Sequence, residues 1–363
     1  MMKQHNVATL RNQPFFLLIV FICTLLLGVV NSIHIEEHVR IAEFTMRNYT
    51  WPPQKWNPPT MGRIMDRRLR QIQAIENRVD RFHAYSVLSS STAIVGKNLT
   101  QFGWALTRAP QHLVDLLTQE LFSKPWNARE PEEYLNPMGL RILDQLPFMV
   151  DTTNVNQYLL RELQPLHEQW INQPLQPVTA FGMRVYQNQS QLLMHVDTPK
   201  THIVSSILHI ARSEDAEDWP LLVQDYEGNV IEVHMTPGDL VFYESSRILH
   251  GRPSVFRGSW YTSLFLHYMP INYWKDHENP KNEMFFAIPP DWDKDTIPLD
   301  PSLPALSVLG MGMEEPSCPG RWCGTDQPHK EVRGPAIGPG ILESTRGVRY
   351  LPRDDTFHSH DEL

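Results

Sequence analysis

Cysteine is scarce in this sequence, with three residues among 363. Cys23 falls within an apolar run near the N-terminus, which leaves Cys318 and Cys323 in the rest of the chain. No group of histidines accompanies this pair of cysteines. A structural zinc site built from cysteine and histidine is therefore not expected.

Basic residues are in the minority, since 32 Lys and Arg stand against 41 Asp and Glu and the formal net charge is -9. Proteins that bind the phosphates of nucleic acids do so mainly with clustered Lys and Arg. The sequence contains no strong basic cluster, so nucleic acid is excluded as an expected partner. The charge pattern does not select a substrate.

A long apolar run occurs near the N-terminus, from Phe15 to Val30, after the basic Lys3 and Arg11. Its roughly 16 residues are short for a membrane span, which needs about 20. Residues 1–32 are therefore predicted to be a secretory signal peptide, with an uncleaved signal anchor as the alternative. The last four residues, His360 to Leu363, spell HDEL, a signal for retrieval to the endoplasmic reticulum. Together the two ends predict a protein of the endoplasmic reticulum lumen.

This compartment has consequences for covalent chemistry. In an oxidising lumen, Cys318 and Cys323 are predicted to form a local disulfide. The Asn-x-Ser/Thr sequences at Asn48, Asn98 and Asn188 are predicted glycosylation acceptors where they are exposed. The chain is therefore expected to be a glycoprotein.

Helical periodicity dominates the N-terminal half. Residues 33–105 are predicted to be a helical segment, in which apolar positions from Met61 to Phe82 recur every three or four residues and indicate one long amphipathic helix. Acidic residues interleave with its arginines, which predicts a solvated helix face, and dimerisation through these N-terminal helices is a further possibility. Later helices are predicted at Ala109–Phe122, Glu130–Leu146 and Thr153–Trp170.

The hydrophobic period changes from about 3.6 to 2 near Phe181. Short strands separated by turn sequences then follow, at Phe181–Tyr186, Gln191–Val196, Ile203–Ile210, Leu221–Gln224, Val230–His234, Leu240–Tyr243 and Trp260–Tyr268. Strands at this spacing are typical of a sandwich or jelly roll. The predicted fold class is thus α+β, a jelly roll with a preceding helical layer, over residues 106–280. Residues 281–363 are rich in Pro and Gly, which predicts loops and an exposed tail.

Within the strand region, His195 and Asp197 are candidate metal ligands. Side chains at i and i+2 of a strand point to the same face, so these two would project together. His250, arriving from a later segment, would complete a facial triad of two histidines and one carboxylate, which suits Fe(II). A histidine in a strand is more often a core or surface residue. Tyr186 before the pair and the turn Pro237–Asp239 make the metal site the stronger interpretation.

These residues, in this order, resemble the Fe(II)/2-oxoglutarate-dependent oxygenase superfamily, most closely its prolyl 4-hydroxylase and procollagen lysyl hydroxylase branch. The resemblance covers about residues 180–270 and includes the segment from His250 to Tyr261. It implies a double-stranded β-helix with iron held by His195, Asp197 and His250. The implied cofactors are Fe(2+), 2-oxoglutarate and ascorbate, and the implied reaction converts 2-oxoglutarate into succinate and CO₂ while a C–H bond is hydroxylated. Tyr186 would hydrogen-bond the 2-oxoglutarate carboxylate.

The chain departs from the pattern of this branch at one position. A Lys or Arg ten residues after the distal histidine pairs with the far carboxylate of 2-oxoglutarate, and Trp260 stands there in this sequence. A buried carboxylate without a cation is costly. Arg252 is the first candidate to replace the cation and Arg257 the second. The alternative is that Trp260 fills the pocket and 2-oxoglutarate no longer binds.

The leading hypothesis is an enzyme, a prolyl 4-hydroxylase-like dioxygenase that hydroxylates a peptide or protein of the secretory pathway, most favourably at proline. The competing hypothesis is a catalytically inactive β-helix protein that binds clients or oligomerises in the endoplasmic reticulum. A hydroxylase of a small molecule or lipid is a third, less favoured reading.

Overall fold

The computed structural model describes residues 59–91, 98–123, 125, 130–132, 140–142, 146–273 and 292–350. The predicted signal segment, Asn48 and the HDEL sequence lie outside these ranges. In the described part of the chain, no helix has both the length and the apolar character required to span a bilayer.

The N-terminal region forms two helices, α1 (Pro59–Gln73) and α2 (Arg78–Ser91), so the prediction of one long helix is wrong. The break has a local cause at Asn77. Its side-chain oxygen accepts hydrogen bonds from the backbone N–H groups of Val79 and Asp80, at 2.9 and 3.2 Å. Asparagine in this position caps a new helix.

The solvated arginine face predicted for these helices is only partly correct. Arg70 and Arg78 form exposed ion pairs with Asp300 and Asp293. Arg67, in contrast, is nearly buried against Glu315, and so is Arg68, whose guanidinium lies 2.7 Å from a Glu315 oxygen. The C-terminal part of the same chain therefore packs on these helices. Dimerisation through them stays a prediction.

Two of the three later helices are formed, and they flank a set of short strands. The helix predicted at 130–146 is wrong, because its described residues belong to strands. The elements are β1 (Trp104–Arg108), α3 (Gln111–Ser123), β2 (Glu130–Pro131), β3 (Leu140–Ile142), β4 (Phe148–Val150) and α4 (Thr153–Ile171). Apolar side chains, mainly leucines, on one side of α3 and α4 pack on one of the two β-sheets described below and form the main core.

Eight strands between residues 175 and 270 form the centre of the fold. They are β5 (Leu175–Gln187), β6 (Ser190–His195), β7 (Val204–Arg212), β8 (Leu221–Gln224), β9 (Val230–His234), β10 (Asp239–Tyr243), β11 (Leu249–Arg252) and β12 (Trp260–Pro270). One sheet has the order β10-β7-β12-β5 and the other β6-β11-β8-β9, with every neighbouring pair antiparallel. Successive strands thus alternate between two facing sheets, except at the β8–β9 hairpin. This arrangement is a double-stranded β-helix, and the predicted fold class is confirmed.

Residues beyond 300 contribute strands to both sheets, where the sequence predicts loops. The strands are β13 (Ser307–Leu309), β14 (Gly312–Glu314), β15 (Lys330–Arg333), β16 (Ile341–Ser344) and β17 (Gly347–Tyr350). β14 pairs with β6, β15 runs parallel to β9, and β16 pairs with β1. These strands are short and mostly exposed on one side, so they lack the apolar alternation that reveals a strand in sequence.

Two predictions about covalent chemistry concern described residues. The disulfide between Cys318 and Cys323 is present, as predicted. Asn98 and Asn188 are both exposed, and their glycosylation stays a prediction.

His167 of α4 supports a prediction about acid sensitivity. Its ring lies in the main core between Phe242 and Tyr268, and burial lowers its pKa to about 3. The unfolded chain therefore binds a proton below about pH 6.5 that the folded chain does not. Stability is fully present above that pH and falls as the pH drops, by about 2 kcal/mol for this group at pH 5.

We expect His167→Leu to remove this contribution. The free energy of unfolding is measured in urea between pH 5 and 7.5. Its slope against pH should then fall by an amount that corresponds to nearly one proton taken up on unfolding. His112→Leu is the matched control, because His112 is exposed on α3. An unchanged slope in His167→Leu would show that His167 does not stay neutral in the folded chain.

Candidate metal centre

The three predicted metal ligands converge between β6 and β11. The register of these strands places His195 directly opposite His250, with ring centroids 4.4 Å apart. His250 therefore lies in a strand, β11. A Cβ on the adjacent Gly251 would lie 2.7 Å from the carbonyl oxygen of Leu193, so the close approach of the two strands requires glycine here.

Asp197 completes the group immediately after β6. Its Oδ1 lies 3.6 Å from Nε2 of His195 and 3.8 Å from Nε2 of His250. The backbone N–H of Asp197 donates to the carbonyl of Ser245 at 2.8 Å, which holds the residue in place. One ligand atom from each of the three side chains thus faces a common point.

Hydrogen bonds determine which nitrogen of each histidine faces that point. Nδ1 of His195 contacts the carbonyl of Leu193 at 2.7 Å, and Nδ1 of His250 contacts the carbonyl of Ile248 at 2.8 Å. A carbonyl oxygen can only accept, so each Nδ1 carries the proton and each neutral ring presents a lone pair at Nε2. A partner on the second nitrogen is the usual arrangement around metal-bound histidine.

The electrostatics favour a cation at this point. Burial alone would raise the pKa of Asp197, but the neighbouring imidazoles of His195 and His250 hold this pKa well below its usual range, so the carboxylate is ionised. Burial and the neighbouring His195 lower the pKa of His250 to about 4, so this ring is neutral at pH 7. Two lone pairs facing one partly buried carboxylate are a suitable donor set for a divalent metal.

A cavity of about 830 Å³ opens beside these three side chains. Two further histidines line it, His202 and His267, with ring centroids 3.8 Å apart. Nδ1 of His267 hydrogen-bonds Ser205, which in turn bonds Ser245. The sequence analysis did not identify either histidine as part of the site. His267 lies two residues after the inward-facing Phe265 on β12, and this period-2 signal could have placed it in the cavity.

A buried ion pair also lines the cavity. Arg184 of β5 donates to both carboxylate oxygens of Glu132, at 2.6 and 2.8 Å. Arg184 also contacts the hydroxyl of Tyr186, the predicted partner of 2-oxoglutarate, at 3.4 Å. Sequence reasoning did not identify Glu132, which comes from a segment outside the motif. Tyr186 itself is buried and packs edge-on against Trp219.

Arg252, the first candidate for the replaced cation, points into the space between the sheets. It is 2% exposed, and its guanidinium lies over the rings of Trp219 and Tyr261. It donates to the carbonyl of Trp219 and to the hydroxyl of Tyr261. No carboxylate of the described residues forms an ion pair with it, although Arg184 has one. Arg257, the second candidate, is exposed.

Polar side chains without partners lie near Arg252 on the facing sheet. Ser263 of β12 is in register with His209 of β7 on one side and with Arg184 of β5 on the other, so the three share a row on one face. The hydroxyl of Ser263 and Nε2 of His209 are buried without a hydrogen-bond partner. The ring of His209 stacks on Tyr261 at 4.0 Å.

Trp260 does not fill the cavity. Its side chain packs against the helical layer, on the outer face of the sheet formed by β5, β7, β10 and β12. Its ring lies 6.1 Å from that of Phe122. The inward position of this strand is taken by Tyr261, next to Arg252. The alternative in which Trp260 occupies the 2-oxoglutarate pocket is therefore wrong.

Comparisons with known proteins gave matches among solved structures. No protein-family model matches the chain, and no curated protein matches it. A Pseudomonas putida prolyl-4-hydroxylase matches with 17% identity and a TM-score of 0.34, over 49% of this chain and 98% of that one. HygX from Streptomyces hygroscopicus, solved with nickel and 2-oxoglutarate, matches with 12% identity and a TM-score of 0.34, over 47% of this chain and 84% of that one.

A third match is a prolyl hydroxylase from Trichoplax adhaerens, in complex with a peptide fragment of the hypoxia inducible factor oxygen degradation domain. It has 11% identity and a TM-score of 0.36, over 52% of this chain and 91% of that one. Values this low say nothing about the activity or substrate of this chain, and the fold assignment above rests on its own strand order.

Proposed function

We propose that this chain is an Fe(II)- and 2-oxoglutarate-dependent dioxygenase that hydroxylates a peptide or protein of the secretory pathway, with proline as the favoured target. The observation that carries the proposal is the convergence of two Nε2 lone pairs and one partly buried carboxylate at the wall of a cavity. This donor set leaves further positions of an Fe(II) ion open to a co-substrate and O₂. When bound, iron and 2-oxoglutarate supply the oxidising chemistry.

The residues present fit an iron ion. His195, Asp197 and His250 would hold it, since each offers one ligand atom and all these atoms lie within 4.8 Å of one another. The hydrogen bonds on the two Nδ1 atoms orient the rings and place the lone pair of each neutral ring at Nε2. The protein thus provides the coordinating atoms in the protonation states that metal binding requires.

The residues also fit a dicarboxylate. A buried arginine without a carboxylate partner is costly, and Arg252 is in this state, as described above. An anion beside it would also lie close to His209, whose ring stacks on Tyr261, the hydrogen-bond partner of Arg252. The same anion would favour the protonated ring of His209, whose pKa burial lowers to about 3, so that Nε2 could donate. We infer that Arg252, and not Arg257, binds the far carboxylate, and that Tyr186 contributes a hydroxyl.

The cavity size and the two terminal signals support a polypeptide substrate. About 830 Å³ beside the triad exceeds what a small dicarboxylate needs. A signal segment together with HDEL supports residence in the endoplasmic reticulum lumen, where nascent secretory proteins are the abundant substrates. Ascorbate, as the reductant that keeps the iron ferrous, completes the proposed cofactor set.

The direct test is product formation. We expect purified protein with Fe(II), ascorbate and 2-oxoglutarate to form succinate, and a proline-containing peptide to gain one oxygen by mass spectrometry. Matched peptides with alanine in place of proline are the control for the target residue. Protein that binds Fe(II) but forms no succinate with any peptide would favour the catalytically inactive alternative.

A further inference from the structure

A second cluster of potential metal ligands lies away from the cavity, on the outer surface of the sheet formed by β6, β8, β9 and β11. Strands β9 and β15 run parallel, and their register places Glu232 beside Glu331 and His234 beside Arg333. One ligand atom each from Glu232, His234 and Glu331 lies within 4.8 Å of the others. Like charges opposite one another on neighbouring strands are destabilising unless something compensates them. We call these three residues the β9–β15 site.

The histidine of this site is buried and presents an unpartnered nitrogen to the carboxylates. His234 is 8% exposed, and its Nδ1 hydrogen-bonds a carboxylate oxygen of Asp218. Asp218 is an acceptor when ionised, so Nδ1 carries the proton and a neutral ring has its lone pair at Nε2. That Nε2 is buried without a hydrogen-bond partner, 3.6 Å from Oε2 of Glu232.

The neighbouring side chains orient the two carboxylates. Nδ1 of His329 hydrogen-bonds Oε1 of Glu232 at 2.7 Å, which leaves Oε2 directed at His234. Arg333 donates to Oε2 of Glu331 at 2.9 and 3.1 Å and also contacts Asp218 at 3.4 Å. Arg333 therefore compensates part of the negative charge. Neither His329 nor Arg333 contacts Nε2 of His234, which still faces a carboxylate oxygen.

We propose that the β9–β15 site binds a divalent transition-metal ion of the zinc type, through His234 Nε2 and one oxygen each of Glu232 and Glu331. A tetrahedral ion with bonds of about 2.0–2.1 Å needs ligand atoms about 3.3 Å apart, and the separation of 3.6 Å between His234 and Glu232 is close to that value. A carboxylate on the far nitrogen of the histidine is the usual support for such a ligand. The bound ion would connect the C-terminal strand β15 to the central strand β9.

The test uses Zn²⁺ as the probe and a full-length background, His195→Ala/Asp197→Ala, that removes two of the three ligands of the centre in the cavity. Calorimetric titration and metal analysis should find one equivalent of Zn²⁺, and Zn²⁺ should raise the Tm. Adding Glu331→Gln should abolish both effects. Adding Asp218→Asn should weaken Zn²⁺ binding by about 10- to 100-fold, since it removes only the support for His234.

Glu162→Gln is the matched control, because it removes an exposed glutamate of α4 far from this site in the sequence. It should leave Zn²⁺ binding unchanged. The proposal is overturned if the background protein binds no Zn²⁺, which would mean that a proton on His234 alone compensates the carboxylates. It is equally overturned if Glu331→Gln and a second variant, Glu232→Gln, both bind Zn²⁺ as the background does.

Discussion

Asp197→Ala is expected to abolish stoichiometric Fe(II) binding and to lower succinate formation by more than about 100-fold. Loss of a residue that merely supports a ligand costs about 10- to 100-fold in metal affinity or activity, and Asp197 is a ligand in the proposed centre. Without its carboxylate, the two Nε2 atoms of His195 and His250 have no anionic partner within the triad. Iron content by metal analysis and succinate formation measure the two effects separately.

Asp115→Ala is the matched control, because Asp115 is an exposed aspartate of α3 outside the cavity. It should bind iron and form succinate like the unaltered protein. Full iron occupancy in a folded Asp197→Ala variant would contradict the triad and with it the proposed function.

Arg252→Gln is expected to weaken the binding of 2-oxoglutarate by at least about 30-fold, since truncating one partner of a buried charge pair costs about 2–5 kcal/mol. The glutamine keeps a hydrogen-bond donor near Trp219 and Tyr261 but removes the charge. The dissociation constant can be measured by calorimetry with Mn²⁺ in place of iron, so the result does not depend on turnover. Arg252→Lys should restore part of the affinity, because it restores the charge without the planar fork.

Variants of two other arginines serve as comparisons for this experiment. Arg257→Gln should leave the affinity unchanged, because Arg257 is exposed. Arg184 lines the cavity but already has Glu132 as its carboxylate partner, at 2.6 Å. If Arg184→Gln weakened 2-oxoglutarate binding and Arg252→Gln did not, the cation role would belong to Arg184, and the assignment of Arg252 would be wrong.

The central strands were predictable because they are short runs rich in apolar residues, buried along most of their length and separated by turn sequences. All seven strands predicted between residues 181 and 268 are present, and only β11, around His250, was read as a turn. The helical break at Asn77 was missed, because the apolar period continues across it and the capping hydrogen bonds of one side chain decide the boundary. The strands after residue 300 were missed because they depend on neighbours far away in the chain.

One part of the candidate site was likewise predictable from the sequence, and another part was not. The proximity of His195 and Asp197 was predictable from their two-residue spacing at the end of β6. Counting ten residues from His250 led to Trp260, but a count along a chain does not tell which face of a strand a residue occupies after a turn. Tyr261 is the inward residue there, and Trp260 packs on the helices.

What the sequence determined by itself was the position of most central strands, the order of the motif residues and the local disulfide, because each depends on residues close together in the chain. Only the tertiary structure decided that Arg252 has no carboxylate partner among the described residues while Arg184 is paired with Glu132. It alone placed His202 and His267 at the cavity and brought Glu331 beside Glu232. The physical reason is that these relations depend on which strands become neighbours, and burial then determines whether a charge is compensated.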